Sequence, residues 1–245
     1  MKTKLGLILP GKIGDIVICL PISKYYYDLG HEIYWPVYIE LIENFIGYID
    51  YVNFLPTQSS NRIAESFQIL NNIGCKKIID LSFTSLGSWE NENTKNYLSQ
   101  NLKSFDEFRY HLANVDFDKK WTLNITRNYK KEEKLYYNLV NKSKYSLILK
   151  YSSDTILQKE IDTSNYDGQI IEIKPYTKSV FDWLTLIEKA DRLLLIESCF
   201  NNLIDQMSIK NNKQILMLKH GYYGENLVDG TPKGMPRLKN NWHRI

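Results

Sequence analysis

Strand-length apolar runs alternate with helix-period segments along almost the whole chain, and that alternation leaves few architectures open. Residues 4–10, Lys-Leu-Gly-Leu-Ile-Leu-Pro, read as a buried strand that stops at Pro10-Gly11. A tight turn over 11–15 leads into a helix over 16–29, closed by Gly30. A strand over 31–38 follows, interrupted or ended by Pro36, then a helix over 40–46 and a third strand over 51–55, stopped by Pro56. An amphipathic helix over 62–73 ends at Gly74, and 76–82 is a fourth strand. Short connections between such elements imply a parallel sheet with helices on both faces, a Rossmann-type unit.

The polar segment 83–101 carries no clear period and is the candidate long functional loop. A helix over 105–115, a short strand over 121–125 and a helix over 130–140 are expected next. The second half then repeats the alternation, with strands over 145–150, 169–174, 192–197 and 214–219 and helices over 180–190 and 199–209. The spacing predicts an α/β chain of two Rossmann-like units in tandem, 1–120 and 121–245. A ligand belongs in the crevice beyond the carboxyl ends of their strands.

Composition removes other classes. Hydrophobic residues make up 43% and charged residues 24%, enough apolar surface to offset ordering entropy, so the chain is not disordered. No apolar run reaches the ~20 residues of a membrane span, and the basic start Met1-Lys2-Thr3-Lys4 is followed by too short a core for a secretion signal. A cytoplasmic location is expected. Cys19, Cys75 and Cys199 are scattered without metal-ligand spacing and read as buried reduced thiols; His31, His111, His220 and His243 are equally dispersed, so no metal site is expected. The net charge of +3 neither demands nor excludes nucleic acid. The tail is locally basic, with Lys233, Arg237, Lys239 and Arg244 around Trp242 and His243. Such a mixture suits an anionic partner such as nucleic acid, although a solvated terminus is the simpler expectation.

There is no G-x-G-x-x-G after the first strand, no P-loop, no G-x-S-x-G and no H-E-x-x-H. Four other constellations sit where strands end. Gly11-Lys12-Ile13-Gly14-Asp15 joins the first strand to the first helix. Its glycines permit close backbone approach, its free N–H groups favour an anion, and Asp15 is either a helix cap or a general base. Glu197-Ser198-Cys199-Phe200-Asn201-Asn202 follows a buried strand; Ser198 suits capping or a phosphate, and Glu197 a ribose hydroxyl. Lys150-Tyr151-Ser152-Ser153 offers a cation and hydroxyls suited to a pyrophosphate, and Lys174 to Lys178, with Tyr176, is placed to touch a base or sugar. Each of these also reads as ordinary capping or loop. Tyr25-Tyr26-Tyr27 and Trp183 fall at helical spacing and are assigned to core and rim.

The run Gly11-Lys-Ile-Gly-Asp15-Ile-Val-Ile-Cys-Leu-Pro21 resembles the G-x-x-G-D-hydrophobic-x-x-x-L-P signature that opens ADP-heptose:lipopolysaccharide heptosyltransferases, members of glycosyltransferase family 9 with the GT-B fold. Glu197-Ser-Cys-Phe-Asn-Asn-Leu203 resembles the family's D-[TS]-G-x-x-H-L segment. The resemblance implies two Rossmann-like domains facing across a cleft, in a compact version, with a nucleotide-diphosphate sugar as donor substrate and no cofactor. It implies Asp15 as catalytic base, and Glu197, Ser198 and Asn202 on the donor. Gly11, Lys12 and Gly14 would form the acceptor and phosphate-side loop, with Lys150, Ser152, Ser153 and Tyr176 completing the donor site. Cys199 stands where the family has Gly, Glu197 where it has Asp, and Asn202 where it has His, which leaves the donor sugar open. A hexosyl- or heptosyl-transferase acting on a glycan or on a modified base in DNA is the expected activity. A nucleotide-sugar-binding module without catalysis and a nucleotide hydrolase are the alternatives.

Overall fold

The computed structural model describes residues 2–82, 104–152, 166–209, 214–217, 237–240 and 242–244. Strand β1 (Thr3–Ile8), helix α1 (Ile13–Asp28), β2 (His31–Tyr38), the short α2 (Ile39–Ile42), β3 (Val52–Thr57), α3 (Arg62–Asn72) and β4 (Lys77–Asp80) build the first unit. Helix α4 (Phe105–Leu112), a 3-10 turn (Phe117–Trp121) and α5 (Tyr129–Leu139) lead to the second. There β5 (Tyr145–Leu149), β6 (Gln169–Glu172), a 3-10 turn (Val180–Trp183), α6 (Leu184–Lys189), β7 (Arg192–Ile196), α7 (Cys199–Gln206), β8 (Gln214–Met217) and β9 (His243–Arg244) follow.

The strands form two sheets, ordered β3-β2-β1-β4 and β6-β5-β7-β8-β9. Every pairing is parallel, as crossover helices require. Leu5, Leu7, Ile33 and Trp35 in the first sheet, and Leu147, Leu193 and Leu195 in the second, are fully buried. That is why these strands read as near-continuous apolar runs: both faces of a parallel sheet are covered. One contiguous apolar core reaches from the first sheet to the second. Helix α1 packs on α7, and polar ties also cross between the halves. Tyr48 donates to Asp182, and the Ser179 hydroxyl donates to the Asn44 carbonyl at 2.6 Å.

Several expected elements shift for identifiable reasons. The strand over 31–38 runs through Pro36, because β1 pairs with β2 only as far as Gly6–Tyr34 and no bond on that side is lost. Pro56 lies inside β3, the sheet edge, where a missing N–H is tolerated. The segment 121–125 is not a strand. Its alternating pattern gives an extended stretch, but its partners are a loop: Thr126 donates to the Tyr48 carbonyl at 2.8 Å, and the Tyr51 hydroxyl donates to the Asn124 carbonyl at 2.9 Å. The helix over 180–190 begins as a 3-10 turn capped by Ser179. Cys75 and Cys199 are only partly buried, unlike Cys19.

The tail departs furthest from a solvated terminus. Strand β9 extends the second sheet beside β8. Trp242 is buried, and its indole donates to Asp205 at 3.0 Å. Asp205 also accepts from the backbone of Lys239 and Asn240. Arg237 is held through its carbonyl by Lys120 and through its N–H by Asp106. Lys233 lies outside the described residues, as does most of the candidate loop 83–101.

Candidate active site

Each sheet reverses its strand order once: the first between β1 and β4, the second between β5 and β7. At such switch points adjacent connections leave in opposite directions and open a crevice beyond the strand ends. A pocket of about 740 Å³ lies where the segments following β1, β5 and β7 meet. That volume is ordinary for a site that encloses a small ligand.

The segment after β1 supplies Gly11, Lys12, Gly14 and Asp15 to the pocket wall. Asp15 is in the first turn of α1 and uses both carboxylate oxygens: Oδ2 accepts from the Lys12 N–H at 2.9 Å, and Oδ1 accepts from the Arg109 guanidinium at 2.8 Å. The first bond serves the helix start, so the capping and pocket-facing assignments of Asp15 both hold in its geometry. Gly11 is required by this fold-back: a Cβ there would lie 2.4 Å from the Asp15 Cβ. At Gly14 the neighbour is α7, with the Cys199 Cα 3.6 Å from where a Cβ would stand. The starts of α1 and α7 therefore meet at the pocket.

The segment after β7 brings Glu197, Ser198 and Asn202 to the opposite wall. The Ser198 hydroxyl accepts from the Phe200 N–H at 3.3 Å, and Asn201 accepts from the Ser198 N–H at 2.6 Å. This reciprocal capping ties down the first turn of α7 while leaving the Ser198 hydroxyl proton available to a ligand. Asn202 donates to the Ser198 carbonyl at 3.0 Å; its Oδ1 is buried and has no hydrogen-bond partner among the described residues.

After β5 only Ser152 of the expected set lines the pocket, with Leu149 and Tyr151. Lys150 does not line it, because successive side chains of an extended segment alternate faces. Ser153 lies outside the described residues. Tyr176 is elsewhere: it stacks on Trp183 at 6.1 Å and lines a separate pocket of about 510 Å³ beside α5. Eight of the eleven expected residues are thus brought together and two described ones are not.

Residues the sequence gave no reason to choose complete the site. Arg62 lines the pocket from the start of α3, its guanidinium 4.2 Å from the centre of the Tyr38 ring. Phe105 enters from α4. Arg109, one turn further on, is buried beneath it, 4.6 Å from the Phe105 ring centre. Burial works against the Arg109 charge, but Asp15 and Cys19 beside it outweigh that and raise its pKa. The Cys19 thiol is pushed up to about 12, first by burial. None of these had a spacing signal; only the fold brings α4 against α1.

No protein-family model matches the sequence, and no curated protein matches it. Solved structures do. Escherichia coli ADP-heptose LPS heptosyltransferase II superposes with a TM-score of 0.58 at 10% identity, over 100% of this chain and 90% of that one. A glycosyl transferase of family 9 from Veillonella parvula gives 0.55 at 9% identity, over 88% of this chain and 80% of that one. E. coli heptosyltransferase WaaC with ADP-2-deoxy-2-fluoro heptose gives 0.53 at 11% identity, over 99% and 93%. The chain is an α/β protein with parallel sheets and shares the fold of GT-B glycosyltransferases. Within that class, its likeness is to glycosyltransferase family 9 and the ADP-heptose heptosyltransferases. Among the described residues, no helix is long and apolar enough to cross a membrane.

Proposed function

We propose that this chain is a glycosyltransferase that moves a sugar from a nucleotide-diphosphate sugar to a hydroxyl acceptor. The supporting observation is the convergence of the α1 start, the α7 start and the Asp15 carboxylate on one pocket at the switch points of two parallel sheets. Helix N-termini present unpaired N–H groups and partial positive charge to an anion. In this reading the units 1–120 and 121–245 act as acceptor-side and donor-side domains, and the pocket is the cleft between them.

The donor diphosphate lies at the α7 start, with the Ser198 hydroxyl on a phosphate oxygen, Glu197 on a ribose hydroxyl and Asn202 on the donor through its buried Oδ1. The acceptor hydroxyl lies near Asp15. Its oxygen attacks the anomeric carbon, the carbon–oxygen bond to the diphosphate breaks, and the hydroxyl proton passes to Asp15. Charge gathers on the departing diphosphate, where the helix starts and Lys12 stabilise it without a metal ion.

A thermal-shift panel of UDP-, GDP-, ADP- and CMP-sugars, ADP-heptose included, tests the donor site, since a ligand selective for the folded state raises Tm. Asp15→Asn is then expected to abolish transfer while preserving the shift. Full turnover by Asp15→Asn would remove the base assignment. The occupation of both Asp15 oxygens by Lys12 and Arg109 favours a second reading, a binding module that holds the donor without transferring it. That reading predicts a thermal shift with no release of nucleoside diphosphate from any acceptor mixture.

A further inference from the structure

Helix α4 begins directly after the segment 83–103 and carries two residues, one turn apart, that reach the site: Phe105 in the pocket wall and Arg109 behind it. Resting on the sugar-transfer reading, we infer that Arg109 is a positioning residue that holds the Asp15 carboxylate in its reactive orientation, so that α4 is a working part of the site.

Three observations carry this. The Arg109 side chain is only 7% exposed and donates to Asp15 Oδ1 at 2.8 Å, across a sequence separation of 94 residues. Its guanidinium is also flanked by Cys19 and lies over the Phe105 ring, so its own orientation is fixed by packing. Asp15 Oδ2 is fixed independently by the Lys12 N–H at 2.9 Å. A carboxylate bonded at both oxygens from opposite sides has one rotamer, and each oxygen keeps a second lone pair for a hydroxyl proton. A buried guanidinium suits this task better than an ammonium, because its planar fork reaches two neighbours from a rigid frame. Asp15 itself is 28% exposed, so without Arg109 nothing on that side prevents it from swinging toward solvent.

Two measurements on the full chain test the assignment. The first needs no substrate: labelling of the Asp15 carboxyl by a water-soluble carbodiimide with glycine ethyl ester, read by peptide mass spectrometry. Arg109→Ala is expected to speed labelling of Asp15 at least about threefold, with Arg109→Lys between it and the wild type. The second is release of ADP from ADP-heptose, or of the nucleotide from whichever panel sugar binds. Arg109→Ala is expected to lower kcat about 10- to 100-fold with donor KM nearly unchanged, partly restored by Arg109→Lys and by added guanidinium ion. Where Arg109→Ala folds poorly, Arg109→Lys and Arg109→Gln give the same ordering. Unchanged labelling in the variants, or kcat and KM that change in proportion to lost stability with no rescue, overturns the inference. Loss of the sugar-transfer reading looks different: no panel sugar binds or turns over in the wild type, whatever the labelling rates.

Discussion

Replacing Lys120 by Met tests what fastens the C-terminal segment. Lys120 and Asp106 form an ion pair in which both side chains are fully buried. The ammonium also donates to the Arg237 carbonyl and lies 4.6 Å from the centre of the Trp121 ring. Asp106 keeps two other donors, the Ser104 hydroxyl and the Arg237 N–H at 3.0 Å. Breaking a buried pair from one side leaves an uncompensated charge and costs about 3–5 kcal/mol. The remaining donors on Asp106 favour the lower end, and the orphaned Arg237 carbonyl adds about 1 kcal/mol, so Lys120→Met is expected to cost about 4 kcal/mol. Adding Asp106→Asn removes the stranded charge, retains an acceptor and offers an amide donor to the Arg237 carbonyl, so the double variant should recover at least about half of that loss. Urea unfolding followed by tryptophan fluorescence measures both, through the shift in midpoint. A loss below about 1 kcal/mol for Lys120→Met, or a double variant no more stable than the single, would refute the account of a charge pair holding the tail.

Three further outcomes follow from particular contacts. Burial raises the Asp205 pKa from 3.8 to about 6. The folded state therefore holds this proton more tightly than the unfolded state. The associated stability is present below the ordinary carboxylate pKa and is lost as pH rises toward about 6, by at most about 3 kcal/mol. Acidification from about pH 7 to about pH 5 should thus raise the Tm of the wild type relative to Asp205→Asn, and a constant difference between them would contradict the assignment. Gly11→Ala should displace Asp15 and cut turnover about tenfold or more while nucleotide-sugar binding persists; retained turnover would show that Asp15 does not need its fold-back position. Lys150→Ala and Tyr176→Ala should leave the donor-induced thermal shift unchanged, whereas Asn202→Leu should reduce it; the opposite ranking would relocate the donor site.

Much of the fold is legible along the chain because parallel strands are covered on both faces and become short apolar runs, while Gly30 and Gly74 mark helix ends. The misplaced elements share one cause. Pro36 and Pro56 read as breaks because a sequence does not say which side of a strand has a neighbour, and 121–125 read as a strand because alternation does not say whether a partner strand exists. The two motifs that open α1 and α7 were legible because strand-to-helix turns concentrate glycine, hydroxyl and acidic residues.

The sequence by itself determined the order of elements, the parallel sheets and the two turns whose residues line the pocket. These depend on contacts within a few residues and on the periodicity of burial. The tertiary structure alone decided that Arg109, Phe105 and Arg62 join that pocket, that Lys150 and Tyr176 do not, and that the basic tail is docked by Asp106, Lys120 and Asp205 instead of solvated. Those outcomes depend on which distant surfaces meet, and burial of a charge becomes favourable only once its partner has been brought from elsewhere in the chain.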